Sequence, residues 1–225
     1  MQRVPGTQAV SRAVLLLKSF SDAQPEWRLA DLARASGLHR ATVHRLLGAL
    51  EREGMIARDR TGELYRLGPE AIALGARAAR ASDLRAAARA ELQALADATG
   101  ETATLEVPMD DDMLILDEVH GPALIGASAE IGTRWPMKRT STGKAFLAAA
   151  AGSRSRGPGY SVAKEELERG YTAVGAAIMG AGGTPVGAIS VGGPSSRFPA
   201  ARVPKLGTMV KAAAARISSS LGYRC

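Results

Sequence analysis

The most restrictive feature of the sequence is a pair of short amphipathic segments, separated by a glycine, between Leu29 and Leu50. Ala33 lies on the apolar face of the first segment, Gly37 follows four positions later, and Val43 lies one turn into the second segment. A small residue lets two helices cross closely, and glycine readily adopts the positive φ of a sharp turn. This spacing is typical of a helix-turn-helix, whose second helix enters the major groove of DNA.

Further helical and extended segments surround this pair. Apolar residues that recur at three- and four-residue steps predict three helices, at residues 7–22, 29–35 and 40–53. Two short β-prone segments follow, at residues 55–57 and 64–67, and the residues between them have the composition of a turn. Three helices followed by a basic hairpin are the layout of a winged helix-turn-helix, which we assign to residues 1–68.

The polar face of the second helix and the hairpin supply candidate DNA contacts. The helix carries His39, Arg40, Thr42, His44 and Arg45, and the hairpin carries Arg58, Arg60 and Arg66. Their side chains donate hydrogen bonds to base edges and phosphates. Residues 1–68 contain 11 basic and 7 acidic residues, and the net charge of +4 suits a polyanion without proving that one binds. The alternative is a helical hairpin whose charges are only solvated.

An alanine-rich segment follows, and then the pattern becomes mixed. Thirteen of the 30 residues from 69 to 98 are alanine, which favours a helical linker, with a break at Ser82, a suitable N-cap. In residues 99–225, strands are predicted at 102–107, 113–119, 123–129, 171–179 and 185–191, and helices at 142–151, capped by Ser141, and at 199–221. Alternating strands with helices predict an α+β domain, a class that often holds a small ligand beside the sheet.

Several classes of site are not expected. The single cysteine, Cys225, excludes a disulfide within the chain, and three histidines are too few for a histidine metal cage, so we expect neither a metal nor a cofactor. Three aspartates at 110–112 fit a solvated turn better than a cation site. Ser141 and Lys144 match an S-x-x-K pattern, but its companion motifs are absent, so catalysis is not expected. Without a secretory signal or an apolar run of about 18 residues, we expect a cytoplasmic protein that makes no membrane contact.

Six stretches carry a resemblance to a known family. They are VSRA at residues 10–13, LADLARASGLHRATVHRLLGALEREGMIARD, YRLG at residues 65–68, TGETATLEV, IGTRWPMKRTSTGKAFLA and VGAISVGGPSSRF. In these stretches and in their order, the chain resembles the IclR-type bacterial transcriptional regulators. The resemblance implies a winged helix that binds double-stranded operator DNA, a helical linker and a GAF-like C-terminal domain that binds a small effector. It also implies a homodimer formed through the DNA-binding half, or a tetramer.

The resemblance also implies where an effector binds. The family's pocket lies around the segment TSTGKA and the late strands, which in this chain points to Leu124, Ala127, Trp135, Ser141, Thr142 and Ser190. The hydroxyls of Ser141 and Thr142, with backbone N–H groups at a helix N-terminus, suit a carboxylate or an aromatic acid, and Trp135 would form an apolar wall. The alternative is that the Thr-Ser-Thr run only caps a helix and that Trp135 belongs to the core.

The chain departs from the family pattern in its C-terminal part. The acidic residue and the cysteine that family members usually carry after a Gly-Tyr pair align with Ala163 and Ala173, and a late-strand serine aligns with Gly192. The family's long helical segment before Gly-Tyr is reduced here to AAAGSRSRGPG, so we expect a shortened effector domain. Two functions follow: a regulator controlled by a small molecule, or a DNA-binding dimer whose C-terminal domain serves only oligomerisation.

Overall fold

A computed structural model of the chain describes residues 7–122, 130–152 and 157–223. Contacts between residues divide the chain into two compact units, Met1–Ala79 and Arg80–Cys225. The strand predicted at residues 123–129 lies outside the described residues. The linker predicted at residues 69–98 falls on both sides of the division.

The N-terminal unit combines helices with a small sheet. Its helices are α1 (Gln8–Lys18), α2 (Leu29–Ser36), α3 (Arg40–Arg52) and α4 (Pro69–Arg80), and its strands are β1 (Trp27–Arg28), β2 (Ile56–Arg58) and β3 (Leu64–Leu67). The sheet is antiparallel in the order β1-β3-β2. The three predicted helices and the predicted hairpin are present, which confirms the winged helix-turn-helix. β1 has only two residues, too few to leave a period-two pattern in the sequence.

The helix-turn-helix geometry follows from the residues that define its spacing. Ala33 and Val43 are buried in the cluster that joins α2 and α3. Gly37 ends α2 in the left-handed region, with a φ of 67°, which glycine adopts without the strain that a Cβ would cause. Leu47, one turn beyond Val43, is also fully buried. One face of α3 is therefore fixed against the core, and its opposite face is left exposed.

The C-terminal unit is built on a six-stranded antiparallel sheet in the described part of the chain. The strands are β4 (Thr102–Met109), β5 (Asp112–Val119), β6 (Arg134–Pro136), β7 (Ser161–Lys164), β8 (Tyr171–Met179) and β9 (Pro185–Pro194). They are ordered β6-β5-β4-β9-β8-β7. The helices are α5 (Asp83–Thr99), α6 (Ser141–Ala150) and α7 (Val203–Ser220). This arrangement confirms the predicted mixed α/β domain.

The two faces of this sheet differ in polarity, because successive residues of a strand point to opposite sides. Leu105 of β4 and Ile189 of β9 pack in the main core with Leu92 of α5 and with α7. The next residue along each strand, Glu106 or Ser190, is also buried but lies on the side where α6 packs. Buried polar residues therefore lie on the α6 side of the sheet, beside the apolar contacts that Phe146 of α6 makes with the cluster of Met113 and Ala188.

Helix α5 belongs to the core of the C-terminal unit. Ser82 caps it, as predicted, and accepts the Arg85 N–H at 3.2 Å. Leu92 is fully buried, and the guanidinium groups of Arg85 and Arg89 lie 3.1 and 3.2 Å from the buried carboxylate of Asp117. The second half of the predicted linker is therefore a packed element of this unit.

Some details differ from the sequence expectations. The N-cap of α6 is Thr140, whose hydroxyl accepts the Gly143 N–H at 3.0 Å, whereas Ser141, the predicted cap, is the first residue of the helix. The pattern does not reveal β6 or β7, because each has only three or four residues. No helix in the described ranges is long and apolar enough to cross a membrane.

Candidate functional sites

The first candidate site is the outer face of α3. His39, Arg40, His44 and Arg45 are exposed there, while Val43 lies on the buried side. Within the described residues, the side chains of these four exposed residues make no hydrogen bond or ion pair. They are therefore available to an external acceptor.

Thr42 is placed differently from the other predicted contacts on α3. It is half-buried, and its backbone N–H donates to the carbonyl of His39 at 2.8 Å, in the first turn of the helix. Its hydroxyl is therefore less accessible than the side chains of its neighbours.

The hairpin formed by β2 and β3, here called the wing, is ordered by its own turn. The carboxylate of Asp59 accepts the backbone N–H groups of Glu63 and Leu64, each at 3.0 Å, and the Thr61 hydroxyl at 2.6 Å. The Thr61 hydrogen bond, with these backbone donors, holds the pKa of Asp59 below its usual value. The turn presents Arg60 to solvent.

The three arginines of the wing are not equivalent. Arg60 and Arg66 are exposed and make no ion pair within the described part of the chain. Arg58 donates from Nε to the carboxylate of Glu51 on α3 at 3.1 Å, and its guanidinium lies 4.9 Å from the centre of the Tyr65 ring. Arg58 therefore connects the wing to the end of α3, and a phosphate would compete with Glu51 for it.

The second candidate site is a cavity of about 100 Å³ in the C-terminal unit, between the sheet and the start of α6. It is called the effector pocket here after the expectation from the sequence. Its polar lining is Thr104, Glu106, Thr140, Ser141, Thr142 and Ser190; its other lining residues are Ile115, Trp135, Arg139, Ala163, Leu167, Glu168, Tyr171 and Ala173. The structure thus brings together four of the six predicted residues, namely Trp135, Ser141, Thr142 and Ser190. Leu124 and Ala127 lie outside the described residues.

Glu106 is the lining residue that sequence reasoning missed and that most affects the chemistry. It is 5% exposed, and its carboxylate accepts the hydroxyls of Thr142 at 2.5 Å and Thr104 at 3.0 Å. Thr104 in turn shares a hydrogen bond of 2.8 Å with Ser190. Burial raises the pKa of Glu106, against the lowering effect of the two threonines. The alternation of Thr102, Thr104 and Glu106 along β4 was the available sequence signal, because period-two polar residues share one face.

Tyr171 explains one departure from the family pattern. Its hydroxyl lies 2.0 Å from the position that a Cβ on residue 192 would occupy. Only glycine at position 192 leaves room for the phenol. Burial raises the pKa of Tyr171, and the nearby carboxyl of Glu106 raises it further.

The rim of the effector pocket is held by contacts to the loop after β7. Arg139 donates to the carbonyls of Glu166 at 2.6 Å and Leu167 at 3.0 Å. Lys144 of α6 forms an ion pair with the Glu166 carboxylate. The guanidinium of Arg139 is therefore already bound to backbone oxygens.

A second cavity, of about 280 Å³, lies between α6, α7 and β8. Its walls are largely alanine, and Lys211 at its edge donates to the carbonyl of Pro158 at 3.1 Å. Among the described residues, no group of three or more His, Cys, Asp or Glu side chains is arranged to hold a metal ion.

Comparisons with known proteins match both units. Residues 9–60 match the family model of the IclR helix-turn-helix domain, and residues 76–155 and 151–219 match that of the bacterial transcriptional regulator IclR C-terminal domain. The chain is 28% identical to the transcriptional repressor IclR of Escherichia coli K12, over 96% of this chain and 90% of that protein.

Solved structures share the fold. A putative IclR transcriptional regulator from Silicibacter sp. TM1040 superposes with a TM-score of 0.84 at 23% identity, over 96% of this chain and 97% of the other. An IclR homologue from Microbacterium hydrocarbonoxydans, complexed with 4-hydroxybenzoate, has a TM-score of 0.77 at 21% identity, over 95% and 99% of the two chains.

A winged helix-turn-helix joined to a mixed α/β domain of this kind defines a DNA-binding transcriptional regulator, not an enzyme. The chain belongs to the IclR family of bacterial transcriptional regulators. The family resemblance of the sequence is thereby confirmed.

Proposed function

We propose that the chain binds operator DNA as a homodimer through α3 and the wing, and that a small molecule in the effector pocket controls this binding. The observation that carries the first part is the outer face of α3, where exposed donors without internal partners stand opposite fully buried Val43 and Leu47. A helix fixed on one side and polar on the other suits insertion into a groove about 12 Å wide.

Within this proposal the predicted contacts divide into two groups. Arg40, Thr42, His44 and Arg45, with His39 at the start of α3, contact base edges and phosphates in the major groove. Arg60 and Arg66 hold phosphates from the wing, and Arg58 does so only by leaving Glu51. Phosphate contacts position the protein, whereas base contacts select the sequence.

The DNA-binding proposal is tested by sequencing the genomic DNA that co-purifies with the full chain. The recovered fragment and a scrambled version of it are then compared by fluorescence anisotropy at one salt concentration. We expect the fragment to bind at least about 10³-fold more tightly. Equal affinity for both duplexes would contradict operator recognition.

Exposed apolar residues on α1 and α4 support the homodimer. Val10 and Val14, four residues apart on one side of α1, are 65% and 45% exposed, and Ile72 of α4 is 75% exposed. The exposed apolar pair on α1, together with Ile72 on α4, favours burial against a partner. The double variant Val10→Asp/Ile72→Asp is expected to sediment as a monomer, whereas the control Leu147→Asp, at an exposed site on α6, keeps the oligomer.

The lining of the effector pocket supports binding of a small molecule, because it combines hydroxyl groups with apolar walls. The expectation of a carboxylate or an aromatic acid rests on the resemblance and is supported by the 4-hydroxybenzoate complex of the Microbacterium homologue. The buried carboxyl of Glu106 opposes it.

The second candidate is a regulator whose C-terminal unit serves only oligomerisation. The small volume of the effector pocket, about 100 Å³, favours this candidate. A thermal-shift screen with small polar compounds separates the two, because a ligand that binds only the folded state raises the melting temperature. A ligand that both stabilises the chain and changes its affinity for the operator supports effector control; stabilisation by none supports assembly alone.

A further inference from the structure

The carboxyl of Glu106 is buried in the effector pocket without a cationic partner. No Lys, Arg or His among the described residues forms an ion pair with it. Two threonine hydroxyls are its hydrogen-bond partners, at 2.5 and 3.0 Å. A carboxylate has about four lone-pair sites, so acceptor capacity is left over. Burial without a counter-charge is costly, and a bound donor would offset part of that cost.

The rest of the effector pocket supplies no counter-charge for an anionic ligand. The other charged or titratable groups in its described lining are Arg139, Glu168 and Tyr171. Arg139 is bound to backbone carbonyls, Glu168 is acidic, and the pKa of Tyr171 is raised, which keeps the phenol neutral at physiological pH. A second carboxylate placed beside Glu106 would meet like charge in a poorly solvated space.

We propose that Glu106 makes the effector pocket select a small ligand that donates O–H or N–H hydrogen bonds, and reject carboxylates. The inference rests on the proposed function only in treating this cavity as the effector site. Thr104 donates to Glu106, so Ser190 donates to Thr104 across 2.8 Å, and both hydroxyls keep lone pairs that accept from a ligand donor. Trp135 and Ile115 supply the apolar wall for the rest of the ligand.

The volume limits the ligand further. The cavity volume of about 100 Å³ is several times the roughly 10–15 Å³ that one buried water requires by a comparable measure. The pocket therefore suits a small compound, such as an alcohol, an amide or an amine. An alcohol or an amide is neutral, whereas a protonated amine is cationic, and the probes described below distinguish these charges.

The test uses three probes of the same shape and size: acetate, acetamide and acetamidinium, with charges of −1, 0 and +1. Binding to the full-length chain is measured at pH 8 from the methyl NMR signals of Thr104, Thr142 and Ile115, which line the pocket. We expect acetamide and acetamidinium to bind at least tenfold more tightly than acetate. A preference for acetamidinium over acetamide would indicate an amine-like ligand, and the reverse a neutral one.

Two variants assign the selectivity to Glu106. In Glu106→Gln, which keeps the size of the side chain, the affinity for acetate should rise about tenfold and the preference for acetamidinium should disappear. Glu165→Gln, at an exposed site after β7 that does not line the pocket, should leave the ratios within about threefold. If Glu106→Gln does not fold, the wild-type chain gives a second readout. The acetamidinium-to-acetate ratio should fall as the pH is lowered through the raised pKa of Glu106, because protonation removes the charge of its carboxylate.

The proposal is overturned if acetate binds the wild-type chain as tightly as acetamide, if the ratios survive Glu106→Gln, or if no probe shifts these methyl signals at 100 mM. Its failure is distinguishable from failure of the proposed function. Acetate that binds and alters operator affinity would sink this inference and leave the regulator intact. Donor-selective binding in a chain that recognises no DNA sequence would support this inference and contradict the proposed function.

Discussion

The outer face of α3 and the effector pocket are built in opposite ways. On α3, the side chains of Arg40 and Arg45 are exposed and have no partner in the part of the chain that the structure describes. In the effector pocket, residues from six strands and α6 converge, and the carboxyl of Glu106 is buried among them. The first site can be recognised from local spacing, because one helix carries it. The second exists only after the sheet has formed, so its chemistry depends on pairings between distant residues.

The largest expected effect tests whether the two units have separate cores. Leu47→Ala removes a fully buried side chain beneath α3, and Leu105→Ala does the same in the sheet of the C-terminal unit. Each should cost about 2–5 kcal/mol of unfolding free energy. Hydrogen exchange should show lost protection in the mutated unit only. Equal loss of protection in both units from either variant would contradict the division.

The second-largest expected effect is on operator binding by the outer face of α3. Arg45→Ala should weaken operator binding by about 1–3 kcal/mol and relax its sequence preference, because the guanidinium is exposed and has no partner among the described residues. Arg34→Ala is the matched control: it is an exposed arginine on α2, 3.0 Å from Asp31. Anisotropy titrations in which the two variants bind alike would exclude a base-reading role for Arg45.

The wing should produce a smaller effect that does not depend on sequence. Arg60→Ala should weaken specific and non-specific DNA equally and reduce the salt slope of log K by about 1. Arg58→Ala should change that slope less, because its guanidinium is already paired with Glu51. Titrations over 50–200 mM salt measure both slopes. A larger change for Arg58 than for Arg60 would show that the Glu51 contact gives way on DNA.

The same contrast explains what the sequence could predict. Ala33, Gly37 and Val43 specify the helix-turn-helix locally, so its bounds are matched to within a residue or two. The N-cap of α6 was assigned one residue too late, because Thr140 and Ser141 are equally good caps in sequence and only the backbone distinguishes them.

The effector pocket could be predicted only in part. Trp135, Ser141, Thr142 and Ser190 came from the family resemblance, whereas Glu106 and Tyr171 did not. The clash that forces glycine at position 192 joins residues 21 positions apart across β8 and β9, and no local pattern contains it. The family resemblance alone therefore gives the outline of the pocket but not its charge.

The acids Asp59 and Glu106 extend the comparison of the two sites to the pH dependence of stability. Asp59 in the wing has a lowered pKa, so its contribution to stability is present above 3.8 and is lost as the pH falls through its folded-state value. Glu106 has a raised pKa, so its effect on stability has the opposite sign to that of Asp59. Below pH 4.5 its carboxyl is protonated in both states. As the pH rises from there through the raised value, the unfolded chain releases the proton first, and the folded state loses stability.

The smallest predicted effect is therefore a difference between two pH profiles. Glu106→Gln has no proton to lose, so its melting temperature relative to the wild type should rise as the pH increases above 4.5 and level off beyond the folded-state pKa. Asp59→Asn should lose stability relative to the wild type only at pH values above the depressed pKa of Asp59. Differential scanning calorimetry across pH 3–8 measures both. A Glu106→Gln profile parallel to the wild type would mean that Glu106 ionises in the folded chain as freely as in water, and it would contradict the raised pKa.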